Sequence, residues 1–184
     1  MNVEVNSTLM KEMKKKMYFE EKDIELCIDG MGIVFFSPKT TKDIPERIDF
    51  FNQEYSAPAD VSAHLKKGDV VGFCTGSGGD FTLKFREGYP DDGIMNDYSV
   101  CARFGIEIKD DKLCMIDLFW LMEWSTECPE EQILKVTPGY YHITLCTKCP
   151  ESGTWGDKQT IYVYLNKLDE MPELTWEGVP QLFT

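Results

Sequence analysis

Histidine is nearly absent from this chain, with two residues, His64 and His142, in a sequence of 184. Neither stands beside a serine or cysteine in a nucleophile pattern, and Gly-x-Ser-x-Gly does not occur, so the common hydrolase elbow is excluded. A second Cys-x-x-Cys and a His-x-His pair are missing as well. Cys146-Thr147-Lys148-Cys149 therefore supplies half of a four-ligand zinc site, and chance spacing is the plainer reading. As a redox motif it lacks the helix that would depress a thiol pKa, because Pro150-Glu151-Ser152-Gly153 leads into a loop. No apolar run approaches the roughly 20 residues needed to cross a bilayer. The start, Met1-Asn2-Val3-Glu4-Val5, has no cationic region followed by an apolar stretch, so no secretory signal is read and the cytoplasm is expected. Repeats, low-complexity tracts and Gly/Ser/Pro-rich linkers are absent too. One domain over 1–184 is expected, with residues 1–20 a partly helical or frayed lead-in.

Positive charge is scarce. Nineteen Lys and Arg face 32 Asp and Glu, a formal net charge of −13. A field of that sign repels nucleic acid backbones and anionic lipid, so direct DNA, RNA or membrane binding is not expected. Solubility is the commoner reason for such acidity; a basic protein partner is the sharper one, since complementary charge speeds encounter. The cluster Lys11 to Lys16 is a local exception, with Met10, Met13 and Met17 at helix-like spacing.

What the chain does contain is strand signal. Ile24-Glu25-Leu26-Cys27-Ile28 alternates, Asp29-Gly30-Met31-Gly32 reads as a turn, and Ile33-Val34-Phe35-Phe36 is an unbroken apolar run that suggests burial on both faces. Residues 44–51 and 61–65 suit short helices, the second stopped by Gly68. Strands are expected again at 69–74 and 81–85, with Gly76-Ser77-Gly78-Gly79-Asp80 as a hairpin turn between them. That glycine segment lacks the lysine and the following helix of a phosphate loop. Further strands are expected at 98–108, 112–120, 132–136, 140–146 and 160–165, with turns at Asp110-Asp111 and Pro138-Gly139. The sum is an all-β, mainly antiparallel β-sandwich with one to three short helices. The seven cysteines, odd in number and set in apolar runs, suit reduced core thiols.

The candidate site residues are acids and aromatics. Asp91, Asp92 and Asp97 share one loop, which lacks the spacing of a calcium loop and reads as a solvated acidic surface, a weak cation site or a docking face. Asp80 joins them as a surface carboxylate. Phe119-Trp120-Leu121-Met122-Glu123-Trp124 is dense in residue types enriched at interface cores, although a core strand explains such density equally well. Trp120 and Trp124 are the anchors expected there, and Trp155, Trp176 and Phe183 are possible contributors.

Two stretches, Phe104-Gly105-Ile106-Glu107-Ile108 with Leu113-Cys114-Met115-Ile116, and Val136-Thr137-Pro138-Gly139-Tyr140-Tyr141-His142-Ile143-Thr144-Leu145, resemble the competence protein J family. These are small bacterial β-domain proteins that inhibit a DNA-degrading nuclease. Tyr162 to Leu165 would be the closing strand and Ile24 to Phe36 the first ones. Residues 76–85 also resemble the glycine-rich hairpin of bacterial β-domain proteins suspected of immunity roles. This chain is longer, with extra material at 1–20, 40–67 and 117–131. The resemblance implies a β-sandwich fold, and together with the net charge and the missing catalytic set it points to a non-catalytic inhibitor or immunity-type protein that neutralises a basic toxin or nuclease; no cofactor and no metal are expected. The alternative is a small-molecule or carbohydrate-binding sandwich that uses exposed tryptophans as stacking platforms; an enzyme using carboxylates or the cysteine pair would need convergent titratable groups in a pocket.

Overall fold

A computed structural model describes residues 17–184, so the expected helical spacing of Met10 and Met13 and the Lys11–Lys16 cluster lie outside the described residues. In chain order the elements are β1 (Asp23–Ile28), β2 (Gly32–Phe36), α1 (Pro58–Lys67), β3 (Val70–Cys74), β4 (Gly79–Glu87), α2 (Asp92–Asp97), β5 (Val100–Ile108), β6 (Lys112–Asp117), β7 (Ile133–Lys135), β8 (Gly139–Thr147) and β9 (Gln159–Leu168). A π-helical turn at Phe51–Tyr55 and 3-10 turns at Leu118–Glu123 and Glu130–Gln132 complete them.

Two sheets form, one of five strands in the order β1-β4-β9-β8-β5 and one of four in the order β3-β2-β6-β7. Every pairing is antiparallel except that of β4 with β9. The expected sandwich is the observed one.

The periodicities account for the layering. In β1, Ile24, Leu26 and Ile28 are buried while Asp23, Glu25 and Cys27 are exposed, as alternation requires of a half-buried strand. In β2 every residue is buried. Phe35 points inward against Phe73 and Phe85, at ring-centroid distances of 5.5 and 6.2 Å. Phe36 points outward and meets Trp124 at 5.0 Å, which itself lies 5.3 Å from Phe50. The four-stranded sheet is therefore packed on both faces, by the partner sheet and by the long connections on either side of it.

The turns behave differently from expectation. Residues 29–31, 75–78, 109–111 and 136–138 each join a strand of one sheet to a strand of the other. The glycine segment at 76–80 is accordingly not a hairpin turn but a passage between sheets. Gly79 has φ +139°, and a Cβ there would meet the carbonyl of Gly156, whose oxygen accepts the Asp80 N–H at 2.9 Å. Glycine serves here to let two backbones approach.

The helix expected at 44–51 does not form. Arg47 takes φ +63°, and its N–H donates to the Trp124 carbonyl at 2.7 Å while the Trp124 N–H donates to Ile48 at 2.9 Å. Those backbone groups are used between segments rather than within a helix. The second helix, α1, forms and stops as expected, with Gly68 at φ 70° donating to the carbonyls of His64 and Leu65. The strand expected at 112–120 ends at Asp117, where the 3-10 turn begins.

Candidate functional site

Asp117 organises one end of the sandwich. Its carboxylate accepts from the Phe119 N–H at 3.0 Å, capping the Leu118–Glu123 turn, and from the N–H groups of Asp29 and Gly30 at 2.8 and 2.9 Å. One buried acid thus ties the β1–β2 turn to the start of the 3-10 turn, and the Phe119 ring lies close over Gly30. Leu121 is fully buried and anchors the turn from below. The tight turn then drives the remaining side chains outward. Phe119, Trp120 and Met122 are 50, 44 and 47% exposed, and Met31, beside Gly30, is 62% exposed. Scattered surface hydrophobes need no explanation, but an aromatic- and Met-rich ridge on a rigid base has the composition of an interface core.

Directly after the ridge in the chain, Glu123 and Trp124 open a stretch that lines a groove of about 510 Å³ together with Ser125, Thr126, Glu127, Glu46 and Arg47. Three carboxylates against one guanidinium make it acidic. Glu46 accepts from the hydroxyl and the N–H of Thr126 at 2.6 and 2.9 Å, and these bonds hold its carboxyl below the usual range.

Trp120 is solvent-exposed on the 3-10 turn. Trp124 is not: it is fully buried between Phe36 and Phe50, so the anchor role expected of it is corrected to a core role. Its indole N–H is buried with no hydrogen-bond partner among the described residues. Trp176 stacks on Phe104 at 5.2 Å and donates to the Arg103 carbonyl at 2.9 Å, and Phe183 packs over Gly76. These tryptophans do not gather into one stacking platform.

The aspartates fall in two places. Asp91, Asp92 and Asp97 sit on residues 88–99, which connect β4 to β5 across the outer face of the five-stranded sheet. Asp91 is the N-cap of α2 and accepts from the Ile94 N–H at 2.9 Å, so its oxygen is engaged in a helix cap. The connection is packed down through aromatic contacts. Tyr98 meets Tyr162 edge-on at 5.2 Å, Tyr89 bonds His142 at 2.7 Å, and the Arg103 guanidinium lies 4.6 Å from the Tyr89 ring centroid. Asp80 is separate, on β4 opposite Cys27, and its hydrogen bond and charge push that thiol pKa up. The structure therefore does not bring Asp80 and the three loop aspartates into one contact cluster with Trp120.

The histidines have structural partners. His64 Nδ1 lies 2.8 Å from Asp69 Oδ1, and Lys67 Nζ reaches the other Asp69 oxygen at 2.6 Å. Burial pushes the Asp69 carboxyl up, and the bonds to His64 and Lys67 outweigh it, so the net direction is down. Burial, then the charge of Arg103, lower His142. Among the described residues no cluster of three or more His, Cys, Asp or Glu is placed to hold a metal ion, and no helix is long and apolar enough to cross a membrane.

The cysteines depart from the core reading. Cys114 and Cys146 are buried; Cys27 and Cys101 are exposed because alternation puts neighbours of a core position on the wet face, and Cys149 is exposed beyond the end of β8. The groove residues Glu46, Arg47 and 123–127 carry no site signal in the sequence, since they join only when the two long connections come together.

No family model and no curated protein sequence matches this chain. Two solved structures are similar to it. One is described as ComJ, inhibitor of the DNA degrading activity of NucA, from Bacillus subtilis, with 10% identity, 83% of this chain and 100% of that chain covered, and a TM-score of 0.47. The other, crocagin biosynthetic gene J, has 12% identity, 79% and 97% coverage, and a TM-score of 0.51. The likeness to the second of these is one of architecture. At these identities it speaks for the fold and not for the role.

Proposed function

We propose that this chain is a non-catalytic binding protein that docks a basic protein on the ridge of Phe119, Trp120 and Met122. One observation carries the reading: the exposed apolar ridge is followed at once in the chain by Glu123, which with Glu46 and Glu127 lines an acidic groove. Apolar anchors supply affinity at an interface core, while the flanking charge selects a cationic partner and speeds encounter. The net charge of −13 extends the same preference over the whole surface.

The finer form of the proposal is an inhibitor or immunity-type protein that neutralises a basic toxin or nuclease. A nuclease site is cationic because it holds phosphates, and a carboxylate groove can occupy it in their place. Asp91, Asp92 and Asp97, solvent-facing on α2 and its cap, and Asp80 would then steer the approach rather than form the buried contact.

The test uses the purified protein as bait in lysate of its own source at low and high salt, beside Trp120→Ala and the quadruple Asp80, Asp91, Asp92 and Asp97→Asn variant. A captured basic protein should bind Trp120→Ala more weakly by about 2 kcal/mol or more, roughly thirtyfold, as interface anchors do. The quadruple variant should slow association and flatten its salt dependence. Capture that ignores both variants and salt refutes the reading.

A further inference from the structure

The Cys-x-x-Cys spacing at 146–149 draws attention to the wrong partner. Cys146 is buried on β8 and Cys149 is exposed beyond the strand's end. The Cys146 sulfur instead lies 2.7 Å from that of Cys101, directly opposite it in the antiparallel β5–β8 register. The two positions are 45 residues apart in the chain. Opposite Cα atoms of an antiparallel pair stand about 4.5 to 5.5 Å apart, inside the roughly 4.4 to 6.8 Å that a disulfide spans.

We infer that Cys101 and Cys146 form an oxidisable dithiol, a modification site that accepts disulfide oxidants such as glutathione disulfide. The asymmetry of the pair sets the order of events. Cys101 is exposed on the outer face of the five-stranded sheet, with its sulfur 3.7 Å from the Tyr98 carbonyl that ends the α2 connection. Cys146 is enclosed, and burial pushes its thiol pKa up, with its neighbour Cys101 adding to the effect and Arg103 opposing it.

Cys101, as thiolate, attacks one sulfur of glutathione disulfide. The S–S bond of the oxidant breaks, one glutathione leaves, and Cys101 carries a mixed disulfide. Cys146 then gives up its proton and attacks the Cys101 sulfur, releasing the second glutathione. Two protein thiols are oxidised by two electrons, one disulfide is reduced to two thiols, and the two protons end on glutathione. The strands are already paired at this register, so closing the bond calls for little backbone movement. The bond would join the edge strand β5 to β8 at the root of the aspartate-bearing connection.

The experiment is oxidation of the folded chain with glutathione disulfide, acid quench, alkylation of free thiols and peptide mapping without reductant. The wild type should lose the alkylation of Cys101 and Cys146 together, lose the mass of two hydrogens, and yield one linked peptide pair containing both residues. Cys146→Ser should stop at a Cys101–glutathione adduct, and Cys101→Ser should leave Cys146 unlinked. A wild type in which Cys101 stops at the adduct overturns the inference. So does one in which both remain alkylatable, or in which links form only among other cysteines.

Discussion

Trp120 and Trp124 are four positions apart and do opposite things, and the contrast can be measured. Trp124 fills the space between Phe36 and Phe50 on the outer side of the four-stranded sheet, with no exposed surface. Replacing it with alanine removes a large side chain from a closed site, and the long connections at Arg47 and Ile48 are bonded to its backbone and cannot collapse freely. Such truncations cost about 3 to 5 kcal/mol. For a chain of this length, each kcal/mol lowers Tm by about 2 to 4 °C, so a fall of about 6 to 20 °C is expected. Trp124→Phe should cost less than the ring volume alone implies. It also removes the buried indole N–H that lacks a partner among the described residues, and such a group carries a penalty of about 1 to 3 kcal/mol. Trp120→Ala should stay within about 0.5 kcal/mol of the wild type in folding stability, as exposed substitutions do. Urea unfolding followed by far-UV circular dichroism, which does not depend on tryptophan fluorescence, separates the three variants. A Trp124→Ala cost below about 1 kcal/mol, against the cavity penalty just cited, would refute the assigned packing. A large cost at Trp120 would mean that the ridge is structural and not available to a partner.

Asp69→Asn tests the buried pair with His64 and Lys67. Because the folded-state pKa of Asp69 is lowered, its contribution is present above the ordinary carboxylate range and is lost as pH falls through the folded value. The variant should be weaker by about 1.5 to 3 kcal/mol at neutral pH, the worth of charge-assisted bonds. The gap to the wild type should narrow in urea midpoints taken below about pH 4, the ordinary aspartate value; a gap independent of pH would reject the assignment. Gly79→Ala should cost about 2 to 4 kcal/mol, from left-handed strain and the clash with Gly156 together. Gly88→Ala, with φ +90° and nothing within 4 Å of the added carbon, should cost only the strain, about 1 to 2 kcal/mol. Equal losses in chemical denaturation would mean that close backbone approach is not what Gly79 serves.

Strand existence was legible because side-chain period is a local property. Ile24 to Ile28 and Phe81 to Phe85 alternate in sequence and in burial, and the unbroken Ile33 to Phe36 is buried on both faces as its pattern requires. The acidity, and the expectation of a basic partner that follows from it, needed composition alone. The helix stop at Gly68 was equally plain, since a left-handed cap is a one-residue requirement.

Tertiary structure decided everything that depends on which surfaces meet. A glycine-rich turn between two alternating strands reads as a hairpin, yet residues 75–78 pass between sheets, because period reports that one face is buried and not against which strand. The segment from Phe119 to Trp124 is apolar in sequence but for Glu123. Only the Asp117 cap and the tight turn after it sort Trp120 to solvent and Trp124 to the core. Cys146 has a neighbour three residues on in sequence, but register gives it a sulfur partner 45 residues away. Local sequence sets the conformation of each piece through short-range sterics and burial period. The pairing of distant pieces is set by the whole core packing at once, and the site is made of such pairings.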